Sequence, residues 1–377
     1  MKKILLGTTA LVTAGLLAGP ALASDPLKVT VGGNVVTGFY FVDADNIGST
    51  NFQDTKVALV ARNIDIKAEG TLDNGLVAGV DAKLQLGSDW NANNVANGSA
   101  NFRQLFAYLE GGFGKFEIGG TDGAAYKMHY TSPRFVPGNG VDSPNIMNSP
   151  LSQHIVGGLR QSTFSLLASD ANKISYFTPR LAGFQLGLSY TPDANGRTPK
   201  ENGLTLATKD AFIRDVYEVA LNYAGTFSGI DLGADGFYVE GRSDNPAYES
   251  VLAEYGFGAN LGYGDFTLGG AFFHQDNAWG ASWPNWSNAG GSADVWTLGV
   301  KYVTGPWTMG VSYLDSEQDQ YDVRFSTKTW QVGGGYNLGA GVDLGLDLQF
   351  NRVDDGGWYY QGSKDTKTAG LVLAVAF

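Results

Sequence analysis

Three histidines, His129, His154 and His274, are the whole imidazole inventory, and none has a partner at the spacing of a metal site or a catalytic triad. With no cysteine there is no thiolate ligand and no thiol nucleophile. Asp315, Glu317, Asp319 and Asp322 offer the hard oxygens that Ca²⁺ takes, but they lack EF-hand spacing and its glycine, so a solvated acidic external loop is expected. The 53 glycines contain no G-x-G-x-x-G and no P-loop ahead of a helix. No enzymatic activity, metal or cofactor is therefore expected. What recurs instead is charge at every second position: Asp65, Lys67 and Glu69, then Asp81 and Lys83, then Asp343 and Asp347. In a strand such spacing lines up one face, and the chemistry open to it is electrostatic.

Composition narrows the class further. Only 16% of the 377 residues are charged, against about a quarter in an average soluble protein. A hydrophobic fraction of 43% with 12% aromatics is too apolar for a disordered chain. The net charge of -12, without a basic block, excludes nucleic acid as the main partner.

The elements that carry these charges have a period of two. Val342, Leu344, Leu346, Leu348 and Phe350 share one parity, while Asp343, Gly345, Asp347, Gln349 and Asn351 share the other. The same rule gives sixteen candidate strands, from 29–41, 57–70, 76–87, 102–110 and 115–121 through to 342–353 and 366–377. Tight turns such as Leu72-Asp73-Asn74-Gly75 alternate strictly with long polar loops, the pattern of a transmembrane barrel rather than a sandwich. On the apolar parity Tyr217 and Tyr223, Tyr255 and Tyr263, Trp307 and Tyr313, and Trp330 and Tyr336 bracket their strands like two interfacial girdles. Backbone groups in hydrocarbon need partners, so the sheet must close. Sixteen strands about 4.8 Å apart and tilted give a diameter near 30 Å, wider than side chains alone can fill. The expected fold is an all-β, transmembrane, antiparallel sixteen-stranded barrel.

An export leader precedes it. Lys2 and Lys3, the apolar run Ile4 to Leu17 and the Ala21-Leu22-Ala23 site ahead of Ser24 read as a signal peptide over 1–23, cleaved between Ala23 and Ser24, leaving 24–377 as one barrel domain. Loss of two lysines and no acid takes the net charge from -12 to -14.

Leu27 to Tyr40, the Leu72-Asp73-Asn74-Gly75-Leu76 hairpin, Arg103 to Gly119, Ile174-Ser175-Tyr176 and the final strand ending in Phe377 resemble, in this order, the Gram-negative general porins of the alphaproteobacterial type. The resemblance implies an outer-membrane homotrimer set in lipid and lipopolysaccharide, and a terminal Phe377 read by the barrel assembly machinery. It also implies that the long segment 121–172, the third external loop, folds inward and narrows the pore. In that loop Asp122, Lys127, Arg134, Asp142 and Arg160 are candidate constriction residues, with Lys67, Lys83 and Arg103 opposing them from the wall. The expected function is a water-filled channel for passive diffusion of ions and small hydrophilic solutes. Inward parity holds nine carboxylates, Asp65, Glu69, Asp81, Glu117, Glu218, Asp231, Asp235, Asp343 and Asp347, against Lys67, Lys83, Lys301 and Arg103, from which weak cation preference is expected. Two alternatives stay open. One is a sugar-selective channel using Tyr40, Phe177, Phe237 and Phe273, and the other a structural or adhesive barrel with a closed pore.

Overall fold

The computed structural model describes residues 27–47, 51–86, 100–144, 148, 151, 159–194, 213–243, 251–276, 291–320, 323–357 and 362–377. The leader with its Ala23–Ser24 junction, His154 and Asp322 lie outside the described residues. In chain order the strands are β1 Lys28–Ala44, β2 Thr55–Thr71, β3 Val77–Leu86, β4 Ala100–Gly111, β5 Gly114–Gly120, β6 Asn172–Phe177, β7 Phe184–Asp193 and β8 Arg214–Phe227. They continue as β9 Ile230–Arg242, β10 Val251–Tyr263, β11 Phe266–Asp276, β12 Gly291–Thr304, β13 Trp307–Gln320, β14 Val323–Gly339, β15 Val342–Asp354 and β16 Lys364–Ala376. Each pairs with its sequence neighbours, and β1 also pairs antiparallel with β16, from Asn34 opposite Ala376 to Ala44 opposite Thr366. The barrel is closed, so no strand edge meets the membrane. Phe377 completes the seam by exchanging backbone hydrogen bonds with Gly33 at 2.9 and 3.1 Å. Among the described residues no helix is long and apolar enough to cross a membrane.

Outward side chains form two aromatic tiers. Near the tight turns Phe184 meets Tyr223, Phe266 meets Tyr302 and Trp307 meets Tyr336, with ring centroids 4.5 to 4.8 Å apart. Towards the loop ends Tyr190 stacks on Tyr217, and Tyr313 lies between Trp296 and Trp330. All these outward Tyr and Trp residues belong to β7–β15. Along β16 and β1–β5 the described outward positions hold Phe, aliphatic, small and a few polar or charged side chains, and no Tyr or Trp.

Two irregularities override strict alternation. A register shift between Val36 and Thr37 of β1 gives β2 an extra residue. Unbroken alternation over 57–70 would put Val57 and Leu59 inside. The bulge turns them out, 72% and 56% exposed, and brings Lys56 opposite inward Tyr40. A second shift, between Lys83 and Leu84, pairs Lys83 with Gln104 but Leu84 with Phe102, so Arg103 is the extra residue of β4. Past the bulge, alternation resumes with Leu105 outward. The bulge lets Arg103 and its neighbour Gln104 both point inward.

The acidic cluster is corrected as well. Asp315, Glu317 and Asp319 sit on β13 rather than in a loop, 3.7, 3.5 and 2.8 Å from the cations of Lys328 and Arg324 on β14. His274 is an outward girdle residue beside Tyr255, hydrogen-bonded to Asp294 and Asp276. The side chain of His129 is fully buried inside the barrel.

Candidate functional site

The chain between β5 and β6 leaves the wall early, because β5 has only seven residues, and it lies inside the barrel. Pro133, Pro137 and Pro144 oppose regular structure there, yet one helical turn forms, α1 Ala124–Lys127. Ala124 and Ala125 of α1 are buried, and their backbone N–H groups donate to Ser189 Oγ at 2.9 Å and Glu218 Oε2 at 3.0 Å. Both ends of the loop are tied to one region of wall. The buried ammonium of Lys173 donates to the carbonyls of Thr121, Ser169 (2.6 Å) and Ala171 (2.9 Å). Gln104 Nε2 bridges the carboxylates of Asp122 at 2.8 Å and Asp170 at 2.6 Å, and Arg103 Nε reaches Asp170 at 2.8 Å. Burial first, and the Asp170 charge second, raise the pKa of the Asp122 carboxyl.

From α1 the loop travels along the inner wall instead of crossing free space. His129 binds Asp235 of β9 and Thr163, 3.0 and 2.9 Å away, and Tyr130 N–H donates to Asp235 at 2.7 Å. Thr297 of β12 donates to Ser132 at 3.0 Å, and Asn139 donates to Asp347 of β15 at 2.9 Å. Phe135 and Val136 pack with Val36 and Tyr40 of β1 and Val372 of β16. On the return, Arg160 donates to the Ser162 and Phe164 carbonyls, with its guanidinium 4.3 Å from the Phe273 ring and 3.9 Å from Glu254. Burial lowers the pKa of Arg160 despite Glu254 and Asp142. Met128, Val141 and Leu167 join inward Phe237, Val239, Phe273, Val295 and Leu314 in a dry core between loop and wall. At about 1.5–3 kcal/mol for each large apolar side chain fully buried, this core fixes the loop more firmly than any single polar contact.

The sequence candidates therefore divide. Asp142 is 1% exposed and accepts hydrogen bonds from Thr131, Ser162, Thr163 Oγ1 and the Thr163 N–H, so it organises the loop from within. Asp122, Arg160 and Arg103 are likewise engaged in attachment. Lys127 pairs with Glu117 of β5 and lies 4.6 Å above the Phe106 ring, while Arg134 is exposed. From the wall, Lys67 pairs with Glu69 at 2.7 Å and stays exposed, and Lys83 stands opposite Asp65 across β2 and β3, partly exposed.

The nine inward carboxylates divide too. Glu117, Glu218, Asp235 and Asp347 are buried where the loop covers them, and Asp231 and Asp343 flank tight turns. Asp65, Glu69 and Asp81 remain on the wetted face of β2 and β3, in company with Lys56, Lys67 and Lys83. The inward aromatics Tyr40, Phe177, Phe237 and Phe273 are all buried. Alternation and loop length did not reveal the anchors Gln104, Lys173, Glu218, Asp235 and Glu254. A signal was present: charged and amide residues on the inward parity of strands that are otherwise rich in inward glycine and apolar residues.

A family profile described as Gram-negative porin matches residues 7–356. The chain belongs to the Gram-negative porin family. With its closed transmembrane barrel, it is an outer-membrane channel protein. Solved structures share the fold at low identity. An anion-selective porin from Comamonas acidovorans is 17% identical with a TM-score of 0.60, covering 93% of this chain and all of the other. The outer membrane channel DcaP of Acinetobacter baumannii is 13% identical with a TM-score of 0.59, covering 93% and 98%. The trimer form of OmpT, an outer membrane protein of Vibrio cholerae, is 12% identical with a TM-score of 0.59, covering 94% and 100%. Among curated sequences, an uncharacterised protein of Rickettsia bellii is 23% identical over an alignment of 358 residues that covers 79% of each chain.

Proposed function

We propose that this porin is a water-filled channel through which ions and small hydrophilic solutes diffuse passively. The observation that carries the reading is the contrast inside the barrel: the inner face of β2 and β3 is wet and charged beside a wall sealed by its own loop. Lys127 and Arg134 from the loop, with Lys67 and Lys83 from the wall, are the charges we assign to the passage, whereas Asp122, Asp142, Arg160 and Arg103 hold the loop. Covering four of nine carboxylates removes the basis for cation preference. The wetted wall keeps Lys56, Lys67 and Lys83 with Asp65, Glu69 and Asp81, and Arg134 adds to the cations, which supports weak discrimination with a slight preference for anions. Burial of the inward aromatics leaves no exposed track for sugars among the described residues.

The assembly we favour is a homotrimer in which β16 and β1–β4 face a second copy. Tyr and Trp settle at membrane interfaces, and among the described residues the outward ones lie on β6–β15, which leaves this sector without anchors to lipid headgroups. Lipid and lipopolysaccharide would then meet the aromatic tiers, and the assembly machinery would read the strand ending at Phe377. Export by cleavage between Ala23 and Ser24 predicts Ser24 as the first residue of the purified protein. Planar-bilayer recording tests the central reading: discrete, solute-permeable conductance supports it, whereas a non-conducting folded barrel would leave only a structural or adhesive role. Zero-current potentials in a salt gradient test the ion preference, and a K⁺ preference would overturn it.

A further inference from the structure

Glycine is a poor strand residue, costing about 0.5–1 kcal/mol relative to alanine in an element interior, and it is retained where something approaches closely. In the tight turns the reason is conformational: Gly75 and Gly229 have φ of 81° and 80°. Mid-strand glycines on the inner face have no such need. Gly187, Gly233, Gly258, Gly310 and Gly345, on β7, β9, β10, β13 and β15, show no positive φ. What they share is the loop. A Cβ at Gly187 would lie 2.3 Å from Met128 Sδ, and at Gly233 2.6 Å from the Tyr130 ring. At Gly258 it would lie 1.9 Å from the Tyr130 carbonyl oxygen, at Gly310 2.3 Å from the Phe135 ring, and at Gly345 2.6 Å from Pro137 Cδ. The order of strands follows the order of loop residues, so the glycines form a recessed track around more than half of the wall.

We propose that this track sets the width and position of the passage: the residues that determine the size limit of the channel lie in the wall behind the loop, where solute never touches them. The loop cannot move away from a new side chain by sliding along the wall, because Lys173, Glu218, Asp235 and Glu254 hold it at several points. It can only be displaced toward the axis, into the water. Each missing Cβ thus adds to the lumen beside β2 and β3. These are positioning residues, acting on solute through the loop.

The inference rests on the channel reading, and the experiment separates the two. Single-channel conductance and solute exclusion are measured for the wild type and for Gly258→Ala, Gly345→Val and Gly236→Ala. Gly236 is a mid-strand glycine of β9 on the outer face, and a Cβ there would meet nothing nearer than 3.9 Å. Gly258→Ala and Gly345→Val are expected to lower conductance by about twofold and to shrink the largest permeant solute, with Gly236→Ala unchanged, because flow depends most steeply on the narrowest part of a pore. Removing the opposing ring in Gly345→Val with Pro137→Gly is expected to restore conductance, the mark of a direct contact. Heat-modifiable migration verifies the barrel in each variant. Should Gly258→Ala fail to assemble, the Gly345 and Pro137 cycle decides alone. Unchanged conductance in the track variants, an equal change in Gly236→Ala, or no rescue by Pro137→Gly overturns the track. A wild-type barrel that does not conduct overturns the channel reading instead.

Discussion

The inner faces of β2–β3 and of β6–β15 are built from the same alternation of side chains, yet one is a wet electrostatic surface and the other is half of a dry core. On β2 and β3 the inward Asp65, Lys67, Glu69, Asp81 and Lys83 are all at least partly exposed. On β6–β15 the inward residues include glycine, hydroxyl, amide and apolar groups packed against described residues of the loop, and Lys173, Glu218, Asp235, Glu254 and Asp347 are bonded to it. The outer surface divides along nearly the same line, with aromatic tiers over β7–β15 and none over β16 and β1–β5. A side chain's parity therefore says which way it points, whereas the sector it belongs to says whether it meets water, loop, lipid or another subunit.

The largest effect expected from breaking this contrast is at Lys173, on the covered side. Lys173→Met leaves the Thr121, Ser169 and Ala171 carbonyls without their shared donor, at a cost of about 3 kcal/mol to loop attachment. Protease cleavage within 121–171 and noisy, enlarged conductance are the expected results, and a loop as resistant as wild type would contradict the anchor.

The outer division offers the next test. Ala107→Trp on β4 is expected to abolish the unboiled trimer band while sparing the monomeric barrel, whereas Ala259→Trp on β10 should leave the trimer intact, since both are outward and exposed but in different sectors. Equal behaviour of the two would remove the subunit interface from β16–β4.

Charge provides a subtler comparison. Lys67→Gln with Lys83→Gln should shift the zero-current potential toward cations by a few-fold in permeability ratio, an effect that fades at high salt as the Debye length falls to about 3 Å. Glu254→Gln, equally inward but buried under the loop, should leave selectivity unchanged. A shift in the second variant would mean that covered charges still act on permeating ions.

The smallest expected effect concerns protons. Because burial raises the pKa of the Asp122 carboxyl, the folded loop binds a proton there more readily than the unfolded chain does. Attachment should therefore strengthen as pH falls through the raised pKa, and the gain is complete below the ordinary value of about 4. Asp122→Asn is expected to abolish that dependence in a protease-protection assay and to change conductance little. A persisting pH dependence would assign it to another group.

Much of the architecture was legible because a barrel in a membrane obeys two local rules: alternate side chains, and connect strands by alternating short and long segments. Strand ends were less legible. Leu252 and Phe325, near the loop ends of β10 and β14, are buried against inner or external segments, so pairing in these strands begins as early as Val251 and Val323. The bulges at Val36/Thr37 and Lys83/Leu84 leave no mark in the alternation itself, yet one reverses Val57 and Leu59 and the other brings Arg103 and Gln104 together on Asp170.

By itself the sequence determined the sixteen strands, their two-sided character, the girdles and the long loop after β5, because each follows from the spacing of residues along one strand or turn. Tertiary structure alone decided what the inward charges do. Asp347 and Asp65 both sit on the inward parity of a strand, but one is buried under the loop, accepting from Asn139, and the other stays partly exposed. That difference arises from where residues 121–171 come to rest, which is fixed by contacts with strands up to two hundred positions away, on glycines whose missing side chains carry no message until the loop is laid across them.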